Sequence, residues 1–266
     1  VLLPGLSAMV LGVGAVAIGA AVLTRLPKLQ APDGYATAGL FGAVSASTLA
    51  AAIVVLDETG IVFEAWVPAL YPFMDLPALL TAIVLAGIAK QRSGADADEP
   101  IDFKAIIMDS LKGSALSALM LGLALGLLTR PDSVVESFYD PLFRGLLSIL
   151  MLILGMEAWS RMSELAKVAH WYAVYAAVSP LVHGLAAFAL GYVAHVTTGF
   201  SPGGVVLLAV MAGSSSDISG PPTLRAAIPD ANPSAYIGSS TAVGTPIAIA
   251  VGIPLYVALA QLVFDL

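Results

Sequence analysis

Ser214-Ser215-Ser216-Asp217-Ile218-Ser219-Gly220-Pro221-Pro222-Thr223 lies within a long apolar block, and a run this polar is not expected to remain regular helix there. Pro221 and Pro222 each lack an amide donor, and Pro222 clashes with the turn before it. Pro221 disfavours a helical Gly220, whereas both prolines suit the first turn of a helix that starts after the break. The stretch therefore predicts an interrupted helix. Irregular backbone at membrane depth survives only where it is buried in protein or faces a watery cavity.

The surroundings of that stretch are those of a membrane. The chain has 266 residues, 59% of them hydrophobic and 11% charged, with a mean hydropathy of +0.93. A soluble domain carries about 25% charged residues, so too few charges are present to cover a water-facing surface. A net charge of −7 argues against a nucleic-acid partner. The lack of cysteine rules out disulfides and thiolate metal sites. Val1 to Leu23 is long enough to be a span rather than a cleaved signal.

Eight spans are predicted, near 2–24, 37–56, 66–89, 113–129, 143–159, 170–196, 203–224 and 236–262. Helices are the expected form, since an isolated strand cannot satisfy its backbone in lipid. Arg25 and Lys28, then Lys90, Arg92, Lys104 and Lys112, then Arg161 and Lys167, and finally Arg225 place the odd loops in the cytoplasm and both ends outside. Arg130 and Arg144, near the fourth loop, are exceptions. An acidic, flexible stretch from Ser93 to Pro100 falls in the 90–112 segment, read as a cytoplasmic linker dividing the chain.

An internal repeat is expected. At an offset of 169 residues Gly34 falls on Gly203, Ala43 on Ala212, Ser45 on Ser214 and Pro77 on Pro246. In hydropathy, spans one to three superpose on spans six to eight, and the loop charges run the two sets in opposite directions. This is the inverted arrangement of secondary transporters. Spans four and five have no upstream partners, so roughly two further spans are expected before Val1.

The chemistry follows from the break. A half-helix N-terminus carries about +0.5 charge and free amides, which attract an anion. Freed carbonyls, the hydroxyls of Ser214, Ser215, Ser216 and Ser219, and Asp217 are hard oxygen donors for sodium. Asp217 at mid-bilayer costs about 2.5–3.5 kcal/mol on insertion scales, a cost that a cation offsets. The alternative is a structural break with Asp217 as a helix cap. Ser45, Ser47 and Thr48 form the matching set in the first repeat, or simply allow close helix packing. Asp75 is either a second cation or coupling carboxylate or a cap on a span distorted by Pro77. Pro246 is expected to distort its span too, and Thr241 and Ser240 are further candidate ligands. Glu157 and His183 lie in apolar spans. His170, His195, Trp66, Trp159 and Trp171 mark span ends.

These motifs resemble the cyanobacterial-type sodium-dependent bicarbonate transporter family. Gly39-Leu40-Phe41-Gly42-Ala43-Val44-Ser45-Ala46-Ser47-Thr48 is similar to its first signature, continued by Glu64-Ala65-Trp66 and Ala69-Leu70-Tyr71-Pro72-Phe73-Met74-Asp75. Tyr139 to Met151 and Gly155 to Arg161 are similar to its middle. Ser214 to Thr223 and Asn232-Pro233-Ser234-Ala235-Tyr236-Ile237-Gly238 are similar to its second signature. The resemblance implies an all-α membrane protein of two inverted five-helix repeats, ten spans of which about eight are present here. Residues 1–89 would be the core helices of repeat one. Residues 113–266 would be repeat two, with gate helices at 113–160 and core helices at 170–262. It implies a homotrimer in the inner membrane and a PII-like regulatory protein docking on the cytoplasmic face. Bicarbonate would lie between Ser45, Ala46, Ser47, Ser215, Ser216, Ser219 and Gly220. Sodium would be held among Asp217, Ser47, Thr48, Ser214, Thr241 and Asp75. The expected activity is sodium-coupled bicarbonate symport by an elevator-like movement, with no organic cofactor and no enzymatic step. Transport of another small anion, or an intramembrane aspartyl protease using Asp75 and Asp217, are the alternatives.

Overall fold

The computed structural model describes residues 2–92, 104, 108, 114–129, 132–168 and 170–266, so that most of the 90–112 segment, including Ser93 to Pro100 and Lys112, and Arg130 lie outside the described residues. Helix α1 runs over Leu2–Leu23, α2 over Ala31–Gly42, α3 over Ala46–Thr59 and α4 over Tyr71–Arg92. Helix α5 (Ser114–Thr129) and α6 (Asp140–Leu165) follow, then α7 (Trp171–Thr198), α8 (Pro202–Ala212) and the short α9 (Gly220–Ala227). Helix α10 (Pro233–Ser239) leads through π turns at Ser240–Gly244 and Ala248–Gly252 into α11 (Ile253–Phe264).

Among the described residues, six helical stretches are long and apolar enough to cross a membrane: Leu2–Leu23, Ala31–Thr59, Val67–Arg92, Val135–Leu165, Trp171–Thr198 and Pro233–Phe264. Two of the predicted spans take other forms. The fourth is the shorter helix α5, and the seventh is split into α8 and α9. The second also breaks, between α2 and α3. Pro77 sits inside an unbroken α4, and the Thr81 hydroxyl donates to the Pro77 carbonyl at 2.6 Å. The expected distortion at Pro246 is present, as the flanking π turns.

Helix α1 packs against α2 and α4 through a face of Pro4, Ala8, Gly12, Ala15, Val16, Gly19, Ala20 and Leu23. Small residues let membrane helices approach closely. Two apolar clusters result. One gathers Leu49, Leu56, Val205 to Ala212 and Tyr256. The other gathers Leu23, Leu40, Phe41, Leu224 and Tyr236. The chain passes from one cluster to the other at each helix break. Helices α5 and α6 are largely exposed, with Leu127 at 80% and Trp159 at 81%, an apolar surface suited to lipid or a partner chain.

At Gly12 an added Cβ would stand 2.6 Å from the Met74 carbonyl oxygen and 3.4 Å from that of Gly42. Backbone cannot swing aside, so Gly12→Ala should overpack the junction by about 1–3 kcal/mol and lower the unfolding temperature in detergent. Gly14→Ala, where a Cβ meets nothing within 4 Å, should leave that temperature unchanged.

Candidate functional site

Both breaks are built from serine. Helix α2 stops at Gly42, and Ala43 and Ser45 are extended. The Ser45 hydroxyl then caps α3 by accepting from the Thr48 amide at 3.1 Å, a role for which serine is among the best residues. Helix α8 stops at Ala212, and α9 begins at Gly220 with Pro221 and Pro222 in its first turn. There the Ser216 hydroxyl accepts from the Gly220 amide at 2.9 Å. As the sequence predicts, the polar run is a break, and the prolines open the helix after it.

The two breaks face each other. The Ser45 amide donates to the Ser214 hydroxyl at 2.9 Å across 169 residues of sequence. The Ser216 amide donates to the Leu40 carbonyl at 2.8 Å, one of the acceptors freed where α2 ends. The hydroxyls of Ser47 and Ser45 donate to the two carboxylate oxygens of Asp217 at 2.8 and 3.1 Å. Thr48 donates through its hydroxyl to Ser45 at 3.0 Å. Asp217 thus joins both breaks, rather than merely capping its own helix.

Neighbouring helices close the sides. From α4, Asp75 accepts from the Val44 amide at 2.9 Å. The Tyr71 hydroxyl, one turn earlier, hydrogen-bonds the Ser219 hydroxyl at 3.0 Å. The Ser240 hydroxyl bonds the Ser215 hydroxyl at 2.9 Å and the Ser216 carbonyl at 3.1 Å. Ser240 opens the π turn Ser240–Gly244, which also carries the buried Thr241. Gly244 lets that turn come close, since a Cβ there would stand 2.8 Å from the Ser215 hydroxyl and 2.6 Å from Phe41. His183 Nδ1 contacts the Phe41 carbonyl at 3.2 Å. Around the breaks Ser45, Ser47, Thr48, Ser214, Ser215 and Ser216 are buried, whereas Ala46, Asp217 and Ser219 are half-buried.

The structure therefore brings together Ser45, Ala46, Ser47, Thr48, Ser214, Ser215, Ser216, Asp217, Ser219 and Gly220. Asp75 reaches the first break through the Val44 backbone, and Thr241 adjoins the second through Ser240. Asp75 and Asp217 are each engaged by their own donors. Glu157 pairs with Arg161 at 3.6 Å. Two members of the arrangement carried no role in the sequence reading, the Leu40 carbonyl and the Tyr71 hydroxyl. Tyr71 could have been found from its four-residue spacing to Asp75, which puts both on one helix face. Leu40 could not, because a backbone carbonyl leaves no trace in residue type.

Opposed half-helix ends with a carboxylate and hydroxyls between them suit a small anion together with a hard cation. The profile of the Na+-dependent bicarbonate transporter superfamily matches residues 1–261. The chain belongs to that superfamily. The resemblance read from the two serine signatures is thereby borne out, and membership in the Na+-dependent bicarbonate transporter superfamily points to transport rather than catalysis. No curated protein matches the chain significantly.

The bond from the Ser45 amide to Ser214 yields a test of how the breaks are held. Ser214→Ala removes the acceptor and leaves a buried amide unsatisfied, at a cost of about 1–3 kcal/mol. A lower unfolding temperature and faster hydrogen exchange at the Ser45 amide are expected, while the Gly220 amide, capped by Ser216, keeps its protection.

Proposed function

We propose that this protein is a symporter that carries bicarbonate into the cell together with sodium. The observation that carries the reading is the placement of Asp217 on the Ser45 and Ser47 hydroxyls, between the opposed starts of α3 and α9. The first amides of a helix have no partner within it, and α3 offers those of Ala46 and Ser47. At α9, where Pro221 and Pro222 carry no amide and that of Gly220 is taken by Ser216, the pull comes from the helix dipole and the serine hydroxyls. Together the two starts attract an anion toward Ser45, Ala46, Ser47, Ser215, Ser216, Ser219 and Gly220. Asp217, with Ser47, Thr48 and Ser214, then supplies the oxygens for sodium, and Asp75 and Thr241 support them from α4 and the π turn. Hydroxyl groups suit both duties, because each has lone pairs for a cation and a proton for an anion.

Electrostatics explains the coupling. Two like unit charges about 4 Å apart repel by about 4 kcal/mol at an effective dielectric of about 20. Bicarbonate beside an ionised Asp217 is therefore disfavoured until a cation stands with them. Sodium raises anion affinity, and bicarbonate raises sodium affinity by the same factor.

The two breaks belong to inverted repeats in this reading, with residues 1–89 and 170–262 forming a core that moves elevator-like against gate helices in 113–160. The bare apolar faces of α5 and α6 support a gate set against lipid and against neighbouring subunits of a homotrimer. The inner membrane as location, outward-facing ends and a PII-like protein on the cytoplasmic face complete the proposal.

Labelled bicarbonate uptake into proteoliposomes tests it. An inward sodium gradient should stimulate uptake by the wild type, and unlabelled bicarbonate should compete better than nitrate. Asp217→Asn should lose the sodium-stimulated uptake while keeping its elution profile and unfolding temperature. Wild-type uptake by that variant would overturn the role of Asp217.

A further inference from the structure

Away from the breaks, two carboxylates join the ends of the interrupted helices in a crossed pattern. At one end Asp33, in the first turn of α2 and only 5% exposed, accepts from the Asn232 amide at 2.7 Å and from the Tyr172 hydroxyl at 3.4 Å. Asn232 belongs to the segment that leaves α9. At the other end Glu64, in the segment that leaves α3, accepts from the Ser201 amide at 2.9 Å and from the Ser201 hydroxyl. Ser201 is the cap of α8, its hydroxyl accepting from the Gly204 amide at 2.9 Å. The Gly203 amide adds a bond to the Val62 carbonyl at 3.2 Å, and Trp66 stacks on Phe200 with ring centroids 5.7 Å apart.

The start of each interrupted helix is thus tied to the exit of the other, once at each end. Charge-assisted bonds from an amide to a carboxylate are stronger than neutral ones. Together with the bonds at the breaks, the two crossing helices are fastened at their centre and at all four ends.

We infer that Asp33 and Glu64 are a matched pair of positioning residues that hold the two interrupted helices as one closed frame, and so fix the spacing of the half-helix tips where sodium binds. Neither carboxylate touches the site. Each acts through the helix end it fastens. Losing one tie lets the tips separate, which weakens sodium binding more than it slows the loaded protein.

The kinetic arm of the test rests on the transport reading, and a second arm is independent of cargo. In proteoliposomes Asp33→Ala and Glu64→Ala should each raise the sodium concentration for half-maximal bicarbonate uptake about tenfold, with a smaller change in maximal rate. Asp33→Asn, which keeps an oxygen acceptor, should recover most of the loss. Glu58→Gln, in an exposed ion pair with Arg144, should match the wild type. In detergent, without any substrate, the amides of Val44, Ser45 and Ser216 should exchange hydrogen faster in Asp33→Ala and Glu64→Ala. The chain has no cysteine of its own, so an Asp33→Cys/Asn232→Cys double variant gives a reversible tie. Its oxidised form should behave as wild type in both arms, and its reduced form as Asp33→Ala. Should wild-type vesicles show no sodium-driven uptake, the transport reading fails and the exchange arm alone decides the frame. Wild-type exchange in both alanine variants, a lowered unfolding temperature with an unchanged sodium dependence, or failure of the cysteine pair to bridge would each overturn the inference.

Discussion

The architecture depends on where the backbone hydrogen bonds go at two interruptions inside an apolar protein. A break in a helix frees amides and carbonyls that water cannot reach, and an unsatisfied group there costs several kcal/mol. Each break here is satisfied largely by the other. Ser45 gives its amide to Ser214, Ser216 gives its amide to Leu40, and the Ser45 and Ser47 hydroxyls go to Asp217. Neither break could exist alone in this setting. The pairing of two distant segments follows from the cost of leaving either one unpaired.

This mutual dependence accounts for the residue types around it. Serine recurs because it caps helices, bridges segments and occupies little volume. Glycine recurs at positions such as Gly244, where a side chain would enter the space of Ser215 and Phe41. Proline follows the second break because it begins a helix well and continues one badly. The π turn Ser240–Gly244 brings the Ser240 hydroxyl to the same place, in keeping with the frequent occurrence of such turns at functional sites.

Much of this was legible in the sequence. The Ser214 to Thr223 run announced a broken helix through its prolines, and the register of Ser45 with Ser214 paired two segments that are in fact hydrogen-bonded. Hydropathy placed the long stretches well but overstated the seventh span, because apolar content on both sides of Ser214 to Gly220 masks how short α8 and α9 are. At Pro77, the seventh residue of α4, the helix continues although proline cannot give an amide bond to the Phe73 carbonyl. Asp33 escaped notice altogether. An acid near the start of a helix is usually a solvated N-terminal charge, and only the fold reveals that Asn232 and Tyr172 close over it.

The two apolar clusters lie to either side of the breaks, one around Leu49 to Leu56 and Val205 to Ala212, the other around Leu40, Phe41 and Leu224. The hydrogen bonds that bridge the breaks are thus flanked by apolar packing, where a polar contact is electrostatically stronger than in water and its loss correspondingly costlier. A seam set in this way resists being opened one bond at a time, so the segments on its two sides are expected to yield together.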